Sequence, residues 1–328
     1  MTEYGSKKET LRFTPNSKIV MFGLPGSGKT SLLEALAKAS WSDDQNSPRT
    51  LVPYFSGEHP FDCFSRATPL MHVEHRLDGE PSDVELSRVT HSILTADTYL
   101  KNPGSIQIQI DHKIQVSDPA GDVCVKILTT TPDSGQLSTA EDLYTRELQE
   151  ANTVVCALPL DIDSNLGEEQ IPAKIHLEYL KAILDGMGNG EKPHIIVALT
   201  KSDYYPNLEQ SPRRLFDITY LHAGQDLMIG GYDKFHELYP QVEFEVTSAA
   251  GFFPKRGNMG EHYRPNYDHL RRCVENPDLW KPRGVMQILH SHLNNVEEEM
   301  LEASIRQRPL RHLDLRYRKK IQKNYKPF

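Results

Sequence analysis

Near the start of the chain, Gly23-Leu24-Pro25-Gly26-Ser27-Gly28-Lys29-Thr30 fills the pattern GxxxxGK[ST] without a miss. These residue types at this spacing bind phosphate. Glycines let backbone N–H groups of about residues 26 to 31 turn inward around an anion. A following helix adds the partial positive charge of its N-terminus. Gly23, Gly26, Ser27, Gly28, Lys29, Thr30 and Ser31 are therefore the expected phosphate contacts. Lys29 would bridge the outer phosphates, and Thr30 would offer its hydroxyl to Mg²⁺.

A loop of this kind must be held between a strand and a helix. "SKIVMF" (17–22) reads as a buried strand, and "SLLEALAKA" (31–39) has helical spacing and good helix formers. Further on, "SDVELSRVTHSIL" (82–94) reads as a short helix, the apolar runs "NTVVCALPL" and "PHIIVALT" read as buried strands, and helical stretches are expected around 168–187 and 206–240. "VEFEVTSA" is the last expected strand, and "GVMQILHSHLNNVEEEMLEASI" a long closing helix. "SIQIQIDHKIQVSD" alternates strictly, so it is a half-exposed strand. "DPAGD" reads as turn chemistry, and "VCVKILTTT" as a return strand, which makes an antiparallel hairpin over about 105–131. Strands alternating with helices, with apolar interior strands, imply an α/β fold. Its sheet would be mostly parallel, covered on both faces in three layers, and carry one antiparallel edge strand.

The base is read elsewhere. Thr200-Lys201-Ser202-Asp203 directly follows a buried strand and resembles the guanine motif [NT]KxD. Guanine presents N1–H and its 2-amine side by side, and one carboxylate accepts both. Adenine would leave Asp203 unpaired, at a cost of several kcal/mol. Thr200 stands where Asn is commoner, and its hydroxyl can tether the loop at shorter reach. Lys201 would lay its stem along the base or ribose. Thr247-Ser248-Ala249, at the end of the last strand, resembles the T/S-A motif whose backbone N–H meets guanine O6, with Ser248 and Ala249 as contacts.

Together these motifs resemble a P-loop GTPase of the translation-factor-related, Ras-like class, in motif order over 15–305. The enlarged length, and "LWKPRGVMQILHSHL" before the tail, are similar to the bacterial double-GTPases of defence and conflict systems. The resemblance implies GTP or GDP as ligand, Mg²⁺ as cofactor, and a switch that hydrolyses GTP. It also implies a DxxG motif, expected within "TTTPDSGQLS" (129–138). There Gly135 would meet the γ-phosphate and Gln136 would orient water. Asp133 lies two residues before the glycine rather than three, Pro132 holds the expected Asp position, and Thr131 is an alternative. Either Asp133 bulges to the metal or hydrolysis is impaired, which leaves a non-hydrolysing guanine-nucleotide scaffold as a second reading. An ATP-using kinase or ATPase is a third, against which TKSD and TSA argue. The first-switch metal ligand is expected at Thr98, with Thr95 and Thr90 as rivals. Arg66 and Arg88 are candidates for a charge-stabilising finger; without one, turnover is slow unless a partner accelerates it.

Composition sets the rest. The chain has 328 residues, 38% of them hydrophobic, enough for a full core. No apolar run is long enough to cross a bilayer and the polar N-terminus is no signal peptide, so a cytoplasmic protein is expected. Cys63, Cys124, Cys156 and Cys273 have no paired spacing and read as reduced thiols, Cys124 and Cys156 in the core. His72 and His75, near Cys63, His59 and Asp62, match no standard zinc spacing. The expected organisation is a flexible N-terminus (1–14), a GTPase domain (15–305) with an insertion at about 41–100, and a basic tail (306–328). The tail carries nine Lys/Arg against Asp314 alone, while the rest has 28 basic and 44 acidic residues. A protein effector or activator is expected on the insertion or the tail. Nucleic acid and anionic membrane are weaker readings for the tail.

Overall fold

The computed structural model describes residues 9–29, 31–33, 35–36, 54–56, 89–100, 106–119, 147–161, 171–187, 193–257, 260–268 and 273–306. Five parallel strands make the centre of its main sheet: β2 (Asn16–Phe22), β5 (Ile106–Pro119), β6 (Thr153–Pro159), β7 (His194–Thr200) and β8 (Val242–Val246). With β3 (Tyr54–Ser56) and β4 (Val89–Leu100), the order is β3-β4-β5-β2-β6-β7-β8. All seven residues of β6 are buried, which is what an apolar run with both faces covered requires.

Three expectations are corrected here. The alternating segment does form β5, but its antiparallel partner precedes it: β4 pairs with β5 from Leu100↔Ile108 to Val89↔Pro119. The proposed return strand at 123–131 lies outside the described residues. A short helix around 82–94 is replaced, from residue 89 on, by β4. "VTHSILTADTYL" is rich in β-branched and aromatic residues, and pairing with β5 decides its state. Residues 9–13 are not a loose terminus. They form β1 (Glu9–Phe13), parallel to β5 from Glu9↔Ile106 to Phe13↔Ile110. β1 and β2 lie along the same edge of β5, broken at Thr14-Pro15, where Lys113 N donates to Pro15 O at 3.0 Å. The 41–100 insertion thus contributes two antiparallel strands, β3 and β4, at one edge of the sheet.

Helices cover both faces. On one, α1 (Ala173–Met187), α2 (Pro212–Asp226) and α3 (Tyr232–Leu238) pack on Val20, Phe22, Val154, Cys156, Val197 and Leu199. Ser211 caps α2, its Oγ accepting from Arg214 N, with Pro212 in the first turn. On the other face, the helix after the phosphate loop (Leu32, Leu33, Leu36) and α4 (Val285–Arg306) pack on Ile19, Met21, Ile114, Val116, Val155 and Ile196. This is the three-layer α/β arrangement of P-loop nucleoside triphosphatases. Gly284 lets α4 begin hard against β8: at φ 71°, a Cβ there would lie 1.8 Å from Val246 O. Two small hairpins, β9 (Phe252–Gly257) with β10 (Gly260–Pro265) and β11 (Tyr267–Asp268) with β12 (Cys273–Val274), fill the chain between β8 and α4.

At the end of the sheet away from the phosphate loop, α4 sends His292 to two strand starts. Its ring nitrogens meet Ser17 Oγ at 2.9 Å and Thr153 Oγ1 at 2.8 Å. Burial, then the neighbouring His112 and His194, push its pKa down to about 3. The folded value lies below the unfolded one, so stability is intact above pH 6.5 and falls as the unfolded chain takes up the proton. The loss between about pH 6.5 and pH 5 should be about 2 kcal/mol. A non-titrating His292→Gln variant should show that much less acid loss in urea unfolding at the two pH values. Equal losses in both proteins would refute the assignment.

Candidate nucleotide site

The residues after β2 turn as a phosphate loop must. Gly26 and Gly28 have φ of 72° and 89°, a region open to glycine. Ser27 N donates to Leu24 O at 3.1 Å, and the helix begins at Lys29, with Leu32 N on Gly28 O at 2.8 Å. A Cβ on Gly23 would lie 2.3 Å from Ser27 Oγ. That hydroxyl is buried and has no hydrogen-bond partner among the described residues. Lys29 is buried too, its Nζ donating to Gly23 O at 2.7 Å. Backbone glycines, a shielded hydroxyl and a shielded ammonium are the chemistry of a phosphate cradle. Thr30 lies outside the described residues.

The base motif sits beside that loop. Thr200, the last residue of β7, donates from Oγ1 to Ser27 O at 2.5 Å, so its hydroxyl ties the two loops together. Lys201 follows in the left-handed region at φ 59°, unusual for a residue with a side chain, and its Nζ meets Asp161 Oδ2 at 2.7 Å. A 3₁₀ turn, Ser202–Tyr204, then presents Asp203. Asp203 Oδ1 accepts from Ser248 Oγ at 2.7 Å. Burial pushes the Asp203 carboxyl above the usual range, opposed by the Ser248 hydroxyl and by Lys201. Ser202 N on Thr247 O (3.0 Å) and Thr247 N on Leu199 O (2.8 Å) join the TKSD and TSA segments. Trp280 Nε1 donates to Ala249 O at 2.8 Å. Thr200, Lys201, Asp203, Ser248 and Ala249 are therefore gathered around one end of β7, next to Ser27.

Strand register brings a second acidic motif to the end of a strand beside the phosphate loop. β5 is the parallel neighbour of β2, with Val20↔Ser117, and ends at Pro119 beside the phosphate loop. The residues there are Asp118-Pro119-Ala120-Gly121, an unshifted DxxG. Period-two alternation puts Asp118 on the face of Ile114 and Val116, which pack with Leu32 and Leu33 of the loop's helix. Its Oδ1 is shielded from solvent. Asp133, Gly135 and Gln136 lie outside the described residues, and Asp133 is fourteen positions beyond the end of β5. Strand register also separates the switch-threonine candidates. Thr98 pairs with Ile110, at the end of β4 away from the phosphate loop, whereas its rival Thr90 pairs with Asp118. Eight residues of strand, about 26 Å, separate the two threonines.

Reading residues alone missed Asp118 because Pro, Ala and Gly after an Asp look like a turn. The signal was the position of "DPAG" at the end of the alternating run. It also missed His176, on the first turn of α1. Burial, then Lys201 and Lys29, hold its pKa down to about 4, so it faces those cations as a neutral ring. For Mg²⁺, a threonine hydroxyl and the Asp118 carboxylate, one of whose oxygens is shielded, are hard oxygen donors of the kind the ion takes. Among the described residues, no group of three or more His, Cys, Asp or Glu side chains is placed to hold a metal, and no helix is long and apolar enough to cross a membrane.

Strand order and loop make the chain a P-loop α/β nucleotide-binding fold. No family model and no curated protein matches the sequence. Among solved structures, it aligns with the G domain of the T. maritima FeoB iron transporter at 14% identity and a TM-score of 0.28, over 72% of this chain and 89% of that one. It aligns with the FeoB G domain of Methanococcus jannaschii at 14% identity and a TM-score of 0.32, over 86% and 98%.

Proposed function

We propose that the chain binds guanine nucleotides with Mg²⁺ and hydrolyses GTP to GDP and phosphate, cycling as a molecular switch of the Ras-like class. The observation that carries this reading is the joined pair of loops, with Thr200 bonded to Ser27 and Asp203 to Ser248. It sets a carboxylate for the guanine edge at a fixed offset from the phosphate cradle. In this reading the loop amides, Ser27, Lys29 and Ser31 hold the phosphates. Thr30 and Asp118 hold Mg²⁺, which when bound supplies charge neutralisation on the outer phosphates. Gly121 offers its N–H to the γ-phosphate, a role first given to Gly135, and Gln136 is kept as the candidate for orienting water. The scaffold reading rested on a displaced Asp133. In the GTPase reading Asp118, an unshifted acid at the end of β5, takes the role sought for Asp133. A protein effector or activator acting through 41–100 or the basic tail belongs to the same proposal.

The test is a titration of purified protein with GDP, GTP and ATP, alongside phosphate release. GDP and GTP should bind at least about a hundredfold tighter than ATP. Lys29→Ala should lose nucleotide binding by a similar factor and show no phosphate release. Equal affinity for ATP and GTP would refute the guanine reading. Tight GTP with no turnover, even with cell extract added, would restore the scaffold.

A further inference from the structure

The chain between β8 and α4 does more than connect them. The β9–β10 hairpin is fastened to the base-reading loops at two places. At one end, Asn266 N donates to Gly251 O at 2.9 Å, and Gly251 N donates to Ser248 Oγ at 2.8 Å. That hydroxyl is the one bonded to Asp203. Within β10, three residues before Asn266, one side chain makes two bonds to Tyr263. Asn207 Oδ1 accepts from Tyr263 N at 2.8 Å, and Asn207 Nδ2 donates to Tyr263 O at 3.0 Å. Tyr263 lies opposite Pro254 in the hairpin, and Pro254 has no N–H to offer it. Tyr263 turns its backbone groups outward, where a carboxamide can pair with both as a neighbouring strand would.

Asn207 is also tied stiffly to Asp203. Tyr204 N bonds to Lys201 O and Tyr205 N to Ser202 O, each at 3.0 Å, and Leu208 N bonds to Tyr205 O at 3.1 Å. Gln210 Nε2 closes on Tyr205 O at 2.7 Å. A ring results: Asp203, Asn207, Tyr263, Asn266, Gly251, Ser248 and back to Asp203. Aromatic contacts brace it. Phe252 meets Tyr263 edge-on at 5.7 Å, the Arg283 guanidinium lies 3.7 Å over Phe252, and Arg283 exchanges both backbone bonds with Ser248. Asn266, fully buried, holds Asn276 by a two-bond clamp of the same kind.

We propose that Asn207 is a positioning residue for base selection: through Tyr263 and the hairpin it holds the Asp203 carboxylate square to the guanine N1–H and 2-amine. This rests on the guanine reading above. A single carboxylate accepts two parallel bonds only in one orientation, and Ser248 and the local backbone amide hold the Asp203 carboxylate only as firmly as the loops that carry them are held. The ring holds those loops before the base arrives, so no ordering cost falls on binding.

The experiment compares GDP with inosine diphosphate, which lacks the 2-amine, in wild type and Asn207→Ala. Losing about one net hydrogen bond's worth of alignment should weaken GDP about fivefold and leave inosine diphosphate within about twofold. The GDP/IDP ratio therefore falls, a change that general loosening of the fold would not give. Asn207→Asp keeps an acceptor for Tyr263 N but loses the donor, so its ratio should lie between the two. It carries the test if the alanine variant does not fold. An unchanged ratio in a folded variant, or an equal loss of both nucleotides, overturns the strut while the guanine reading stands. A wild type with no preference for GDP over ADP overturns both.

Discussion

Asp203→Asn is expected to weaken GDP binding by two orders of magnitude or more while leaving the free protein as stable as wild type. The carboxylate accepts two charge-assisted bonds from guanine, together worth roughly 3 kcal/mol against a group that accepts one and donates one. The free protein is spared because Ser248 Oγ can donate to an amide oxygen as it does to Asp203 Oδ1 at 2.7 Å. Burial also disfavours the charge that the substitution removes. An amide carries a donor where the carboxylate had none, so the variant should gain affinity for xanthosine diphosphate, whose C2 bears an oxygen. A pH signature accompanies this. Asp203 has a raised pKa when the site is free and must be ionised to hold guanine. GDP affinity is thus present above that raised value and is lost as pH falls through it, sooner than for an ordinary aspartate. The phosphates titrate in both proteins, so the difference between wild type and Asp203→Asn isolates this group. Fluorescent-nucleotide titrations across neutral and acid pH, with thermal unfolding, check all three effects. Undiminished GDP binding in the variant would remove Asp203 from the base site.

What the sequence made legible follows from how local each signal is. The phosphate loop is contiguous, and its glycines have a single purpose, so Gly23 to Lys29 could be read as a cradle. β6 and β7 were legible for a similar reason, since strands buried on both faces are apolar throughout. TKSD and TSA are short, but TKSD follows such a strand and TSA follows the alternating β8. What failed depended on pairing. Alternation identified β5 but could not say whether its partner came before or after it. Choosing the later segment placed the expected DxxG motif past 129 and read Asp118 as part of a turn. It also sent the switch threonine to Thr98, which strand register puts at the wrong end of β4. β1 was lost because five residues beside an irregular terminus carry too little pattern without the edge of β5 to hold them. The hairpins after β8 were lost too, since "FFPKRGNMGEHYRP" has no clean period and owes its form to Asn207, Gly251 and Arg283.

The relocated acid makes the sharpest contrast between two candidate sites. Asp118→Asn should lower GTP hydrolysis by about a hundredfold or more, roughly 3 kcal/mol of barrier, and abolish its dependence on Mg²⁺. Asp133→Asn should stay within about twofold of wild type. Asp118 ends the strand that lies beside β2, on the face packed against the phosphate-loop helix, with one carboxylate oxygen shielded from water. With one oxygen of that carboxylate shielded, solvent replaces only part of its charge when it is neutralised. Asn keeps the size and one oxygen but removes the negative charge, so GDP binding without Mg²⁺ should change little and the metal-dependent gain should disappear. Single-turnover phosphate release and Mg²⁺ titrations of nucleotide affinity, run on both variants, read the two quantities separately. If Asp133→Asn silences turnover and Asp118→Asn keeps it, the motif belongs at 132–135 after all, and the end of β5 is only the turn it first resembled.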